Sequence, residues 1–261
     1  MKKKILILIK AAPLPSKNYI ETVCTAGIDE DGNWYRLYPL PFRYIGWGQR
    51  FKKYQWIEVD LQRMPIEKDY RKESHRPKTE TIKTLGKPIP TNKNWSERKK
   101  LVLPCLQLSV ESLSDQFYQD GTSLGIIQSE QVTEFLAERD EEYWSQRKAI
   151  VQSQLRLFGP QPKELEKVPY KFYYKFKCKD PRCDGHKLSI HDWEIYMLYL
   201  NVKKNYQYAE DEVLTKVKEK WLDQMWSKSR ESYLMLGTVH SRYKKPIWVV
   251  LGVFWPPKVN I

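Results

Sequence analysis

The stretch YKFYYKFKCKDPRCDGHKLSIH, residues 170–191, decides how the C-terminal third of the chain is interpreted. Its last fourteen residues hold two of the four cysteines and two of the four histidines of the protein, a density typical of a metal site. Its first nine residues alternate lysine with aromatic side chains, which predicts a β-strand that leads into the Cys/His loop. A metal loop at the end of a basic, aromatic strand favours a nucleic-acid partner.

The spacing of the cysteines and histidines predicts a structural Zn²⁺ site. Four residues separate Cys178 from Cys183, within the range of about two to four that zinc knuckles use, and His186 and His191 complete a tetrahedral set. A standard finger separates its cysteine and histidine pairs by about twelve residues, whereas two intervene here. Two alternatives stay open: reduced structural cysteines beside surface histidines, and a site in which the distant His240 replaces His191.

The predicted strand has a cationic face. With a period of two, its apolar rings fall on one side and the other side carries Lys171, Tyr173, Lys175 and Lys177. On this face lysines can contact phosphates while Tyr173 stacks on a base, as in proteins that bind single strands. The alternative is that the lysines keep a half-buried strand soluble or protect a sheet edge.

A second basic site is predicted at the tip of a C-terminal hairpin. The sequence HSRYKK, residues 240–245, joins two apolar strands and supplies Arg242, Tyr243, Lys244 and Lys245. Such a tip has the shape to enter a groove as a β-ribbon, although hairpin tips are polar in most proteins.

Residues 63–100 form a basic segment that prolines interrupt. Twelve lysines and arginines stand against five acidic residues, so this segment holds more than half of the net charge of +13. Two interpretations fit: an exposed linker, or an arm around Arg71, Lys72 and Arg76 that follows a phosphate backbone.

The sequence predicts an α+β fold in four sections that form one integrated unit. Residues 1–62 are a β-rich unit, with a buried first strand, a hairpin that turns at Asp31-Gly32, and an alternating strand. The basic segment, 63–100, comes next, followed by a helical section, 101–162, in which a long helix begins at Ser129 and Pro160 and Pro162 end the block. Residues 163–261 form a β-α-α-β-β section with the zinc knuckle, in which Ser189 caps the first helix.

The N-terminal apolar run of about five residues is shorter than the roughly 7–15 that a signal peptide needs. No stretch has the length of a membrane helix. We therefore expect a cytoplasmic protein with reduced thiols and no membrane partner.

An enzymatic role has weaker support in the sequence. His191 and Glu194 lie beside the Cys/His loop and are candidates for a general base or an additional metal ligand. Glu58 and Asp60 share the polar face of a strand, but the lysine that follows the acid in the best-known nuclease strand motif is missing. No Walker loop, dinucleotide fingerprint or nucleophile elbow is present.

Three segments resemble a family of uncharacterised prokaryotic proteins. They are ETVCTAGIDEDGNWYRLYPLPFR at residues 21–43, FKCKDPRCDGHKLSIHDWE at 176–194, and GTVHSRYKKPIWVVLGVFWPPK at 237–258. The resemblance spans most of the chain and implies one integrated unit, but it brings no activity and no catalytic residue to this sequence.

The sequence therefore favours a protein that binds DNA or RNA and carries a structural zinc. Two other classes stay open. The first is a metal-dependent nuclease or related hydrolase, and the second is an adaptor subunit whose aromatic-rich surface binds a protein partner.

Overall fold

The computed structural model describes residues 1–153, 161, 163–206, 209–241 and 243–258. Within these residues the fold is mixed α+β with a β-rich N-terminal region, as predicted. The strands are β1 Lys2–Lys10, β2 Leu14–Ser16, β3 Ile20–Thr22, β4 Thr25–Ile28, β5 Trp34–Leu37, β6 Trp56–Arg63, β7 Ser74–Pro77, β8 Lys83–Leu85, β9 Leu106–Gln107, β10 Leu124–Ile127, β11 Ser129–Arg139, β12 Tyr170–Cys178, β13 His186–Ser189, β14 Tyr233–Val239 and β15 Ile247–Phe254. The α-helices are α1 Asn92–Val102, α2 Val110–Asp120, α3 Gln146–Ser153, α4 Trp193–Tyr206 and α5 Glu210–Lys218, and a π-helical turn, Glu219–Gln224, continues α5. Short 3-10 turns lie at Phe42–Tyr44, Trp47–Gln49, Thr79–Thr81 and Leu103–Cys105.

Five N-terminal strands close into a barrel. β1 pairs antiparallel with both β4 and β6, β4 pairs with β5, and β6 pairs with β7. β5 and β7 run parallel and complete the ring, while β8 pairs with β6 beside it. Residues 5–9 of β1 are buried, so the short apolar run at the N-terminus is a core strand, as predicted.

The N-terminal strand patterns are confirmed. β4 and β5 form the predicted antiparallel hairpin, and Gly32 in its turn adopts φ +83°, a conformation that glycine enters without a steric penalty. Along β6, Ile57, Val59 and Leu61 are buried while the residues between them are half-buried or exposed, which is the alternation that the sequence predicts.

The basic segment 63–100 does not form a linker. It supplies β7, β8 and most of α1, and β7 closes the barrel by pairing with β5 and β6. Glu73, Ser74 and His75 are buried there. The sequence gives little sign of β7 and β8, because each strand has only three or four residues and the segment around them is rich in prolines.

The prediction of a long helix from Ser129 is wrong, because residues 129–139 form β11. This strand pairs antiparallel with β12 along almost its whole length. The apolar positions Val132, Phe135 and Leu136 also fit helical spacing, so a pairing partner about forty residues away, rather than local preference, decides the structure. A shorter helix, α3, follows, and Pro160 and Pro162 lie outside the described residues.

The C-terminal section contains one more strand than predicted. β13 lies within the Cys/His loop and pairs with β12. The first helix begins at Trp193 rather than after Ser189, because the buried Asp192 accepts a hydrogen bond from the backbone N–H of Glu194 at 2.7 Å. The C-terminal hairpin is confirmed: β14 and β15 pair antiparallel, are largely buried, and join β10 and β9 in one sheet.

Buried polar contacts join the barrel to the C-terminal sheet. Arg36 of β5 is fully buried and donates from Nη2 to the backbone oxygen of Ser123 at 2.9 Å. Glu73 accepts from the backbone N–H of Ser123 at 2.9 Å and from its hydroxyl at 2.6 Å. Arg36, Glu73 and Ser123 therefore depend on one another as hydrogen-bond partners, since a buried polar group without a partner lowers the stability of the fold.

Arg71 belongs to the same boundary. Its guanidinium donates to both carboxylate oxygens of Asp69, at 2.8 and 2.7 Å, and to the backbone oxygen of Thr238 in β14 at 2.9 Å. Asp69 and Arg71 are both buried. Arg71 was predicted to contact phosphate, and this is wrong because its side chain is enclosed and already holds its partners.

Among the described residues, no helix has both the length and the apolar character that crossing a bilayer requires.

The Asp69–Arg71 pair predicts a loss of stability in acid. Burial tends to raise the pKa of Asp69, but the hydrogen bonds and charge of Arg71 hold this pKa down at about 2, below the ordinary 3.8. The stability that the depressed pKa contributes is present above pH 3.8 and is lost as pH falls through about 2. We expect the difference in unfolding free energy between wild type and Asp69→Asn to shrink by about 2 kcal/mol over this range, measured by urea unfolding.

Asp31→Asn, at an exposed turn position, is the control and should show no such trend. A difference between wild type and Asp69→Asn that stays constant from neutral pH to about 2 would show that the pair does not contribute in this way.

Candidate metal centre and basic faces

Helix α2 positions the first member of the candidate site. Its N-cap is the buried Ser109, whose hydroxyl accepts from the backbone N–H of Ser112 at 3.0 Å, while the Ser112 hydroxyl accepts from the backbone N–H of Ser109. The helix ends at Gly121, in the left-handed conformation with φ +80°. Its first turn directs Glu111 towards the Cys/His loop.

Four side chains meet between α2 and the β12–β13 loop. Glu111, Cys178, Cys183 and His186 place one ligand atom each within 4.8 Å of one another. His186 Nε2 lies 2.9 Å from Glu111 Oε1 and 3.2 Å from Cys183 Sγ. Cys178 ends β12 and His186 begins β13, so the strand pairing itself brings the two groups together. These four groups can hold a metal ion.

The state of the individual groups agrees with a metal-binding role. Glu111 Oε2 is buried and has no hydrogen-bond partner among the described residues, an arrangement that a cation would satisfy. Burial raises the pKa of the Cys178 thiol to about 12, with a contribution from the nearby Glu111 and Cys183, because a thiolate there would crowd negative charge into one place. A bound cation reverses that effect and favours the thiolate.

His191 is not part of this group. Glu111 is the fourth member, where the sequence predicts His191. His191 is exposed, its Nε2 lies 2.9 Å from the Ser189 hydroxyl, and its backbone N–H donates to Val250. The extra strand β13 carries the chain away from the two cysteines before His191 is reached. The alternative ligand His240 is also elsewhere, against the ring of Tyr70.

Ion pairs hold the Cys/His loop against α2. Asp180 accepts from the Ser109 hydroxyl at 2.8 Å and from the backbone N–H of Arg182 at 3.0 Å. The Arg182 guanidinium then bridges Asp180 and Asp115 of α2, at 2.9 Å each. These contacts keep the pKa of Asp180 well below its usual range. The loop is therefore fixed at both its helix-facing side and its strand ends.

The lysines of β12 do not form a free cationic face. Lys171 pairs with Asp140 at 2.9 Å and Lys175 pairs with Glu134 at 2.8 Å. Tyr173 is half-buried, with Lys187 over its ring at 4.7 Å. The acids come from β11 and its end, which the helical prediction had placed elsewhere. Of the three β12 lysines, only Lys177 is exposed without an ion pair to a described residue.

The hairpin tip, in contrast, carries cations without carboxylate partners. Lys244 and Lys245 are exposed, and neither forms an ion pair with a described residue. Tyr243 beside them is 84% exposed. Arg242 lies outside the described residues.

A row of rings connects the tip to α2. Tyr118, Phe117, Tyr70 and His240 follow one another with centroid separations of 5.5, 5.6 and 5.5 Å. Lys72 lies at the C-terminal end of α2. Its backbone N–H donates to the backbone oxygen of Gly121, and its amine pairs with Asp120. We define the tip face by the following residues: Lys72, Tyr118, His240, Tyr243, Lys244 and Lys245.

The remaining predicted residues lie apart from these groups. Arg76 donates to the hydroxyl of Tyr19 at 2.9 Å. Glu194, a candidate catalytic residue, lies in the first turn of α4 and pairs with Lys53 at 3.2 Å. Neither Glu194 nor His191, the other catalytic candidate, joins the four-residue group.

Sequence reasoning missed Glu111 and Tyr118. An acid in the first turn of a capped helix is a recognisable signal, but it predicts only favourable helix electrostatics and does not identify the distant Cys178, Cys183 and His186 as partners. Tyr118 gives no signal of its own in the sequence, because only the ring contacts of Phe117 with Tyr70 and of Tyr70 with His240 link its helix to the hairpin tip.

The Ser109 cap generates a stability prediction. Ser109→Ala removes the N-cap of α2 and leaves one oxygen of the buried Asp180 without its hydroxyl donor, so we expect the unfolding free energy to fall by about 1–2 kcal/mol in urea titrations. Ser189→Ala removes a more exposed hydroxyl and should change it by less than about 0.5 kcal/mol. Equal losses in the two variants would contradict the role given to Ser109.

Comparison with known families covers almost the whole chain. Residues 1–104 match a family model described as Domain of unknown function (DUF8758), and residues 106–261 match one described as Domain of unknown function (DUF8757). No curated protein matches the chain. These matches agree with the resemblance to an uncharacterised family, while a prokaryotic origin stays an expectation from the sequence. Since the second match covers more than half of the residues, the chain belongs to the DUF8757 family.

Proposed function

We propose that the protein binds DNA or RNA through the tip face and carries a structural zinc ion at Glu111, Cys178, Cys183 and His186. The observation that carries the binding proposal is the contrast between two sets of lysines. Lys171 and Lys175 of β12 are neutralised by carboxylates, whereas Lys244 and Lys245 are exposed without carboxylate partners among the described residues. With a net charge of +13, phosphate is the natural counter-charge for such lysines.

The rings of the tip face support the same partner. Tyr118 is 68% and Tyr243 is 84% exposed, although aromatic side chains gain free energy from burial. Tyrosine rings that remain in solvent beside lysines can stack on unpaired bases while the lysines contact the backbone, a combination used by proteins that bind single strands.

Zinc is favoured by the donor set. Two sulfurs select a soft or borderline metal, and an imidazole with a carboxylate completes the four positions that zinc prefers. All four ligands come from the protein, which is the pattern of a structural site rather than a catalytic one. When bound, the ion supplies folding free energy by joining α2 to the β12–β13 hairpin.

Helix α2 links the two parts of the proposal. Its N-terminus carries Glu111, and its C-terminal half holds Phe117, which packs on Tyr70 below the tip. Between them the Ser114 hydroxyl accepts a hydrogen bond from Trp248 Nε1 of β15 at 2.9 Å. The ligands that fix α2 therefore also fix the support of the hairpin whose tip presents the lysines.

The barrel topology is a weaker argument. Its strand order, with the third and fifth strands parallel, is that of the OB-fold, in which the face of the second and third strands binds oligonucleotides or oligosaccharides. Here the corresponding strands β4 and β5 are almost entirely buried, and Arg36 of β5 contacts Ser123. That face is covered, so the fold alone does not support binding.

The zinc proposal predicts a defined metal content. Protein purified without chelator should contain one zinc per chain by elemental analysis, and Cys183→Ser and Glu111→Ala should lose most of it. His191→Ala is the matched control and should keep the metal, because His191 lies outside the ligand group. Removal of zinc should lower the thermal midpoint, since the binding free energy is coupled to folding.

Zinc-free wild type that unfolds at the same temperature after zinc is added would overturn the structural site. Loss of zinc in His191→Ala with retention in Glu111→Ala would instead restore the ligand set suggested by the sequence.

The tip face predicts salt-dependent nucleic-acid binding. Fluorescence anisotropy with labelled single-stranded DNA and RNA at low salt should detect binding that weakens steeply as salt rises. Lys244→Gln/Lys245→Gln should weaken it by about tenfold and reduce the salt slope by about two, because two phosphate contacts are lost.

The matched control is Lys171→Gln/Lys175→Gln, which removes the same charge from lysines that carboxylates already neutralise. It should change the affinity much less. Equal weakening by both double variants would show that net charge alone drives the interaction, and no binding at low salt would remove the proposal.

A further inference from the structure

Two adjoining cavities lie between the barrel and the C-terminal helices, away from the metal-type group and the tip face. Their volumes are about 360 and 420 Å³, within the range of ligand pockets, and they share Lys53, Tyr54, Arg98 and Glu194. The segment that leads into β6 contributes Lys53 and Tyr54, α1 contributes Arg98, and α4 contributes Glu194. A ligand in these cavities would contact both family-matched parts of the chain.

The larger cavity is rich in positive charge. Lys10, Lys52, Lys53 and Arg98 line it with a single carboxylate, Glu194. The buried Asp192 lies below and pairs with Lys53 at 2.6 Å. Burial tends to lower the pKa of Lys53, but the charges of Asp192 and Glu194 outweigh this and raise it, so Lys53 is cationic. Four cations therefore face two carboxylates, and the excess favours an anion.

Lys10 contacts aromatic rings and no carboxylate of the described residues. Its amine lies 3.6 Å from the ring centre of Phe42 and 4.9 Å from that of Trp193, and it forms no ion pair with a described residue. Burial and the positive charge of Lys53 together lower its pKa to about 8. An anionic group placed between Lys10 and Lys53 would supply the missing partner.

The smaller cavity has the character of a site for a flat ring. Apolar side chains that include Leu8, Met235 and Val253 line it, together with the indoles of Trp95 and Trp255. Lys220 lies over the Trp255 ring at 4.4 Å, at the edge of the same cavity. Apolar and aromatic lining with a few polar groups is how proteins commonly hold planar ligands.

The backbone here is held in an uncommon conformation. Six described non-glycine residues have positive φ; two of them, Tyr54 and Trp95, line these cavities, and two more, Lys93 and Asn94, lead directly into Trp95. Each such residue costs about 1–2 kcal/mol, and such outliers cluster at ligand sites. The strain places the rings of Tyr54 and Trp95 at the cavity wall.

We propose that these cavities form a nucleotide-binding site, in which the nucleobase packs against Trp95 and Trp255 and the phosphate lies between Lys10, Lys53 and Arg98. A ligand that fills both cavities needs a flat ring for the smaller one and a negative charge for the larger one. A nucleoside phosphate has both in one molecule. The cavity site does not depend on the tip face, so nucleotide binding in the cavities is an activity separate from nucleic-acid binding at the tip.

The test is isothermal titration calorimetry of the full-length protein with adenosine 5′-monophosphate, with adenosine alone and inorganic phosphate alone as partial ligands. We expect the nucleotide to bind at least about tenfold more tightly than either part, because charge-assisted hydrogen bonds and stacking add. Lys10→Met should weaken nucleotide binding by about tenfold or more, since the cation is lost while a side chain of similar length keeps the contacts with Phe42 and Trp193. Lys175→Met, outside both cavities, is the control and should bind normally.

Lys220→Met tests the ring end if Lys10→Met does not fold, and it should also weaken binding, because Lys220 lies over the Trp255 ring at the edge of the smaller cavity. Absence of nucleotide binding at millimolar concentration, equal affinity for phosphate alone, or unchanged affinity in a folded Lys10→Met would overturn the site. Failure here is separable from failure of the tip face, because Lys244→Gln/Lys245→Gln should keep nucleotide binding and Lys10→Met should keep binding of single strands at the tip.

Discussion

The fully buried guanidinium of Arg36 is the constraint on which the arrangement of the two family-matched parts depends. It sits on a barrel strand, and its Nη2 partners, the backbone oxygen and hydroxyl of Ser123, belong to the second part, as do the N–H and hydroxyl that Glu73 binds. Separating the parts would leave a buried charge and a carboxylate without these partners, which is far more costly than losing an exposed pair. Lys53 with Asp192 and Arg71 with Thr238 repeat the pattern at other points of the boundary. The matches to two family models therefore describe sequence units whose cores are completed across one interface.

How much of the fold could be predicted depended on whether the deciding contacts are local. The first strand, the hairpin at Gly32 and the C-terminal hairpin are visible because a short apolar run, a turn glycine and alternation are properties of neighbouring residues. For residues 129–139 the sequence predicts a helix, although Val132, Phe135 and Leu136 fit the period of a helix and that of a strand. Only the pairing with β12 decides in favour of the strand. The strands within 63–100 were missed for a related reason, since each is stabilised by barrel closure rather than by its own composition.

The candidate metal site was likewise predictable only where its residues are close together in the sequence. Cys178, Cys183 and His186 lie within nine residues, so their spacing could be read directly, whereas Glu111 reaches them only through the placement of α2. The sequence predicts His191 instead, because no local pattern indicates that β13 carries the chain away from the cysteines. The cationic face of β12 could not be judged either, since its neutralising acids come from a strand that had been assigned to a helix. The cavity residues Lys10, Lys53 and Arg98 gave no signal, because they converge from three separate segments.

The charged ladder between β11 and β12 has a consequence for solubility. β11 is an eleven-residue strand at the outer edge of its sheet, and such a long unpaired edge is a template on which a second molecule can grow an intermolecular sheet. Two register irregularities disturb its pairing, and Glu134 and Glu138 are held in ion pairs with Lys175 and Lys187. A foreign strand docking there would meet an irregular backbone and fixed charges, two of the features by which natural edge strands resist intermolecular pairing.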